Sequence, residues 1–155
     1  MRPIVEEEGE PPHGAPWAVV LLIGLLLAVH LYVAALSEKD AEATTQALAF
    51  IPLRYHSGGE SLPGGALARI LSPATYMLVH ADWSHLAINA VWLLIFGTMV
   101  ARRTGPARFL VMTAATGLAG IALFWALHAS DDSSVVGISG AVSGLMAGGI
   151  RLLHA

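Results

Sequence analysis

Val135-Val136-Gly137-Ile138-Ser139-Gly140-Ala141-Val142-Ser143-Gly144-Leu145-Met146-Ala147-Gly148-Gly149-Ile150 sets a serine between glycines at the start of an apolar helical run. A hydroxyl entering lipid costs free energy unless it is hydrogen-bonded, so Ser139 calls for either a packing or a chemical reason. In the packing reading, Gly140, Gly144 and Gly148 recur every four residues and lay a smooth stripe for close helix approach. In the chemical reading, Ser139 is a nucleophile. An isolated Gly-x-Ser-Gly favours packing, and the residues that shift the balance lie upstream.

The 155-residue chain has a mean hydropathy of +0.66, with 55% apolar and 12% charged residues. Soluble domains carry about 25% charged residues, so this is the composition of a membrane protein. Cysteine is absent, which excludes disulfides and thiolate metal sites. The net charge of -3 argues against a nucleic-acid partner.

Residues 1–14 hold Glu6, Glu7, Glu8 and Glu10 with three prolines, the pattern of a disordered tail. Trp17 to Leu36 is an uncharged run of 20 residues, long enough to cross a bilayer. An acidic lead-in speaks for a retained anchor over a cleaved signal peptide. His30 and Tyr32, near its far end, are expected to reach interfacial water. Residues 37–75 carry Pro52, Gly58-Gly59 and Pro63-Gly64-Gly65; their apolar residues suggest pieces that lie on the bilayer surface, where Arg54 and Arg69 could reach phosphates, and a solvated loop is the alternative. A second span covers about 76–101 and closes on Arg102-Arg103. The third covers 107–128, led by Pro106 and closed by His128 and Asp131-Asp132. The fourth covers 137–154, with Arg151 able to snorkel. Arg102, Arg103 and Arg108 crowd one short loop, which puts the N-terminus in the cytoplasm. The fold class expected is all-α, a polytopic bundle of four transmembrane helices.

Spans two and four run in the same direction, so His85 and Ser139, each near the start of its span, share one leaflet. Asn89 follows His85 by four residues, on the same helix face. Acyl transfer needs a nucleophile, a base and donors aimed at the developing oxyanion. Ser139 can attack. His85 and Asn89 can donate, as can backbone N–H groups around Ile138 and Ser139 at a helix N-terminus. Gly137 permits tight approach. Either His85 or Asn89 alone reads as a packing group satisfying backbone; together with Gly-x-Ser-Gly at matching depth they favour chemistry.

The stretch from His80 through Trp83, His85 and Asn89, followed by Gly97, by Ala101 to Gly105 and by Gly137-Ile138-Ser139-Gly140, resembles a rhomboid intramembrane serine protease over about residues 69–155. The resemblance implies that Ser139 is the nucleophile of a Ser-His dyad and that His85, Asn89 and backbone amides hold the oxyanion. It implies substrates that are transmembrane proteins, cleaved where their helices unwind, with no cofactor and no metal. Heavy use of Ala, Leu, Gly and Pro suits a high-GC bacterium, so the protein is expected as a multi-pass component of a bacterial plasma membrane, with the lipid bilayer as partner and a homo-oligomer as one arrangement.

The family core has six helices, the sixth carrying the dyad histidine. Four spans are expected here, so the base is missing: His154 lies at the opposite end of span four and His128 on a loop edge. The 155-residue chain is therefore expected to be inactive alone, with its glycine stripe facing lipid. The alternative is a non-catalytic rhomboid-like protein that binds client helices or dimerises through Gly140, Gly144 and Gly148. A haem or metal protein using His30, His80, His85 or His128 is the third class, disfavoured because ligation wants facing histidine pairs.

Overall fold

Trp17–Ala34 forms helix α1 without a charged residue on any side, so its sequence offers no face to water. Ala18, Val19, Leu26 and His30 form its protein-facing strip, while Val20, Leu21, Leu25 and Leu31 stay exposed. These observations come from a computed structural model, which describes residues 14–57 and 59–153. The acidic tail lies outside the described residues, as do Gly58 and His154.

Two short helices occupy the segment after α1. Helix α2 (Glu38–Leu48) starts where the Ser37 hydroxyl accepts from the Asp40 N–H, with Glu38 and Asp40 placed to complement the helix dipole. Helix α3 (Gly65–Thr75) leaves Leu67 and Ile70 exposed. Between them lies irregular backbone whose carbonyls need donors, and Arg54 supplies them. Its guanidinium donates to the carbonyls of Pro63 and Gln46, each at 2.7 Å. Arg69 in turn donates twice to the Arg54 carbonyl, at 3.0 and 2.7 Å. The expectation that Arg54 reaches lipid phosphates is thus corrected: the side chain is 1% exposed, because a rigid five-donor fork suits inward-facing carbonyls. Arg54→Ala is expected to lower the unfolding free energy in detergent by about 2 kcal/mol, since both carbonyls lose a charged donor.

Helix α4 (Trp83–Thr104) is the second long apolar helix, interrupted by one wide π turn at Leu93–Gly97. Tyr76–Leu78 form a 3-10 turn ahead of it, so the helix starts later than the sequence suggests. Gly105, with φ +84°, breaks the chain, and Pro106 opens helix α5 (Pro106–Leu127) at the position where its missing N–H costs nothing. Helix α6 (Ser139–Leu153) completes the bundle. Among the described residues three helices, α1, α4 and α5, are long and apolar enough to cross a membrane. Helix α6, expected as the fourth span, has 15 residues there.

The common core joins Val19 and Leu26 of α1, Leu93 and Val100 of α4, Phe109 of α5 and Leu145 of α6. The glycine stripe is part of this packing, which corrects its expected exposure to lipid. A Cβ at Gly140 would sit 3.5 Å from Tyr76 Oη, one at Gly144 would sit 2.3 Å from Thr116 Cβ, and one at Gly148 would sit 3.1 Å from Met112 Cε. A Cβ on Gly120 would lie 3.7 Å from Gly140 Cα, so α5 answers with its own small residue. The stripe brings α6 onto α5.

Candidate active site

Asp82 determines where α4 begins. Its extended backbone ends the preceding segment and its carboxylate accepts the His85 N–H at 2.8 Å, an N-cap that fixes His85 in the first turn. The Ser84 hydroxyl, and secondly the His85 N–H, hold the Asp82 carboxyl below its ordinary range. The capping contribution is therefore present above the unfolded-state value and is lost as pH falls through the lowered folded value. Asp82→Ala is expected to speed amide exchange over Trp83–His85 near neutral pH, and Asp82→Asn, which still accepts, to leave it near the parent rate.

One helical turn after His85, Asn89 is 4% exposed and donates from Nδ2 to the His85 carbonyl at 3.0 Å. The two side chains meet Gly137. This glycine has φ +102°, and a Cβ built there would lie 2.7 Å from His85 Nε2 and 3.7 Å from Asn89 Nδ2. Its N–H donates to the Tyr76 carbonyl at 2.9 Å, and the Tyr76 hydroxyl donates to the Gly117 carbonyl at 2.8 Å. An antiparallel bridge pairs Val135 with Phe50 through two hydrogen bonds of 2.8 and 3.1 Å. The approach to Ser139 is therefore pinned to α5 and to the segment after α2.

Ile138 is buried, and Ser139 begins α6 with its side chain exposed. The Val142 N–H bonds to the Ile138 carbonyl, so the N–H groups of Ser139, Gly140 and Ala141 precede the first intrahelical bond. Ser143 Oγ donates to the Ser139 carbonyl at 2.9 Å. An imidazole–carboxamide pair thus meets Gly137, two residues before Ser139 at the start of α6.

The rhomboid domain, as a family model, matches residues 67–153, which runs from within α3 through α6 and takes in every residue of this cluster. The chain belongs to the rhomboid family. No curated protein matches it. Rhomboid proteins are in general intramembrane serine proteases, and this one is an integral membrane protein.

Three residues packed around this cluster were not singled out in the sequence for these positions: Tyr76, Asp82 and His80. A Ser, Thr, Asp or Asn just before an apolar run is a helix-start signal that would have found Asp82. The His80 ring packs edge-on to His85 at 5.1 Å. It is 6% exposed, and neither ring nitrogen has a hydrogen-bond partner. Burial, then the charges of His85 and His30, push its pKa down to about 4, against a smaller opposing effect of the Leu78 backbone. His30 does not reach interfacial water as expected: it is buried edge-on against Trp83, ring centroids 4.4 Å apart. His128 stays outside the cluster, stacked on Phe124. Among the described residues no three His, Asp or Glu side chains converge as metal ligands.

Proposed function

We infer that the protein is a rhomboid-type intramembrane serine endopeptidase that cleaves transmembrane helices near their unwound ends. The observation that carries this is the contact of Gly137 with both His85 and Asn89, two residues ahead of Ser139. Ser139 Oγ attacks the scissile carbonyl carbon while its proton passes to a histidine base. The carbonyl oxygen becomes an oxyanion, held by His85, Asn89 and the N–H groups at the start of α6. Collapse expels the amine, which takes the proton from the base and leaves an ester on Ser139; water then hydrolyses that ester to the acid.

By family resemblance the base belongs to a histidine on a further helix facing Ser139. The exposed stripe of α6 formed by Ser139, Ser143, Met146 and Ala147 is the face such a helix would occupy, since the glycine stripe is already occupied by α5.

The test is labelling of the protein in its own membranes with a fluorophosphonate, followed by peptide mass analysis. The label is expected on Ser139 and is expected to be competed by a single-span substrate with helix-breaking residues at its outer end. Absence of label, or label on another serine, overturns the reading. Asn89→Ala is expected to slow cleavage about a hundredfold, the usual cost of one oxyanion donor, with little change in substrate binding.

A further inference from the structure

One buried residue lies against the chain on both sides of Ser139. Tyr76 opens the 3-10 turn after α3 and is 3% exposed. Its backbone carbonyl accepts the Gly137 N–H at 2.9 Å. Its hydroxyl donates to the Gly117 carbonyl of α5 at 2.8 Å and faces Gly140, where an added Cβ would sit 3.5 Å from Oη. Between Gly137 and Gly140 lie only Ile138 and Ser139. Tyr76 is itself held in place: the Thr75 hydroxyl beside it donates to the Leu48 carbonyl at 2.9 Å, and its ring shares a small core with Phe50 and Ile121. The Gly117 carbonyl lies within a helix whose own ladder supplies its donor. The tyrosine bond therefore adds a tie between segments, where a phenylalanine would fill the same space without one.

We propose that Tyr76 is a positioning residue for Ser139, its carbonyl setting Gly137 against His85 and Asn89 and its hydroxyl setting the first turn of α6 against α5. The two grips belong to one residue whose side chain has only two rotatable bonds, so they hold a fixed separation. Attack within reach of preorganised donors needs such placement, which a loose segment would not keep. In this role Tyr76 transfers no proton and holds no oxyanion; it acts through the backbone that it grips. The kinetic consequence rests on the serine-endopeptidase reading; the ordering of residues 137–140 does not.

Two variants separate this role from mere packing. Tyr76→Phe keeps the ring and removes the hydroxyl. In the protein's own membranes its fluorophosphonate labelling on Ser139 and its substrate turnover are expected to fall about tenfold, the rate equivalent of one hydrogen bond, with KM near the parent value. Thr113→Val is the control, because it removes a buried hydroxyl that bonds within α5, to the Phe109 carbonyl at 2.8 Å. It is expected to lower thermal stability in micelles comparably and to label at the parent rate. Independently of activity, the Gly137 N–H is expected to exchange several-fold faster in Tyr76→Phe, while the Val135 N–H, held by Phe50, keeps its parent rate. Parent-rate labelling in Tyr76→Phe overturns the proposal; so does an equal fall in Thr113→Val, or a fall in Tyr76→Phe with Gly137 exchange unchanged. If the parent carries no label on Ser139, the protease reading fails and Gly137 exchange alone decides: faster exchange in Tyr76→Phe upholds the positioning role, and unchanged exchange overturns it.

Discussion

Gly137→Ala is expected to lower cleavage and fluorophosphonate labelling by about 10²–10³-fold while leaving the bundle folded. Two faults act together. Position 137 has φ +102°, a region that an L-residue with a Cβ enters at a cost of about 1–3 kcal/mol. The new methyl would also lie 2.7 Å from both Cε1 and Nε2 of His85, well inside contact distance. Neither side has slack to give. The His85 N–H is held by Asp82 and its ring is backed by His80, while Gly137 is held to Tyr76. Whichever moves, donors and nucleophile separate, and a misplacement of about 1 Å is enough for a hundredfold loss. Labelling rate and thermal unfolding in micelles check the two halves of the prediction. Undiminished labelling would mean that Gly137 does not set the site.

Gly144→Val is expected to destabilise the bundle by about 4 kcal/mol or more, the range of severe overpacking. A Cβ there would approach Thr116 Cβ to 2.3 Å, Cγ2 to 2.5 Å and Oγ1 to 2.7 Å. Thr116 is anchored by its hydroxyl, which donates to the Met112 carbonyl at 2.7 Å and reaches the Ala141 carbonyl at 3.3 Å. The helices must therefore separate. Gly140→Ala is expected to be nearly neutral, because the nearest atom is 3.5 Å away, and Gly148→Ala mild, because the flexible end of Met112 can yield. Unfolding curves in detergent rank the three substitutions. Thr116→Gly should recover part of the Gly144→Val loss, and additivity of the two would show that the contact does not limit α5–α6 packing.

The long helices were legible because a bilayer asks for little beyond length and absence of charge, and α1 and α5 lie close to the limits read from composition. That His85 and Asn89 lie against Gly137, in the segment that leads into α6, agrees with the topological argument that spans of equal direction start on one side. The partner of the glycine stripe was not. Small residues announce that something approaches, without saying which helix; Thr116 and Gly120 in α5 were the counterpart signal. Arg54 misled because a cation reads as a surface group, whereas here a kinked backbone presents inward-facing carbonyls for it. His30 misled because depth along a span says nothing about neighbours, and Trp83 covers it. Ser37 followed by Glu38 and Asp40 carried a start signal for α2 inside a stretch read as loop.

The π turn at Leu93–Gly97 sets the phase between the two halves of α4. A π turn holds one more residue than an α turn, so the half of α4 bearing His85 and Asn89 is phased against the half bearing Val100 by one inserted position. Winding the same residues 93–97 as plain α would turn the upper half by about 100° and push it out by about 1.5 Å. His85 and Asn89 would then swing off Gly137 while Val100 and Ala101 stayed in the core. The winding of a membrane helix, and not only its composition, decides whether this end of the bundle is a site.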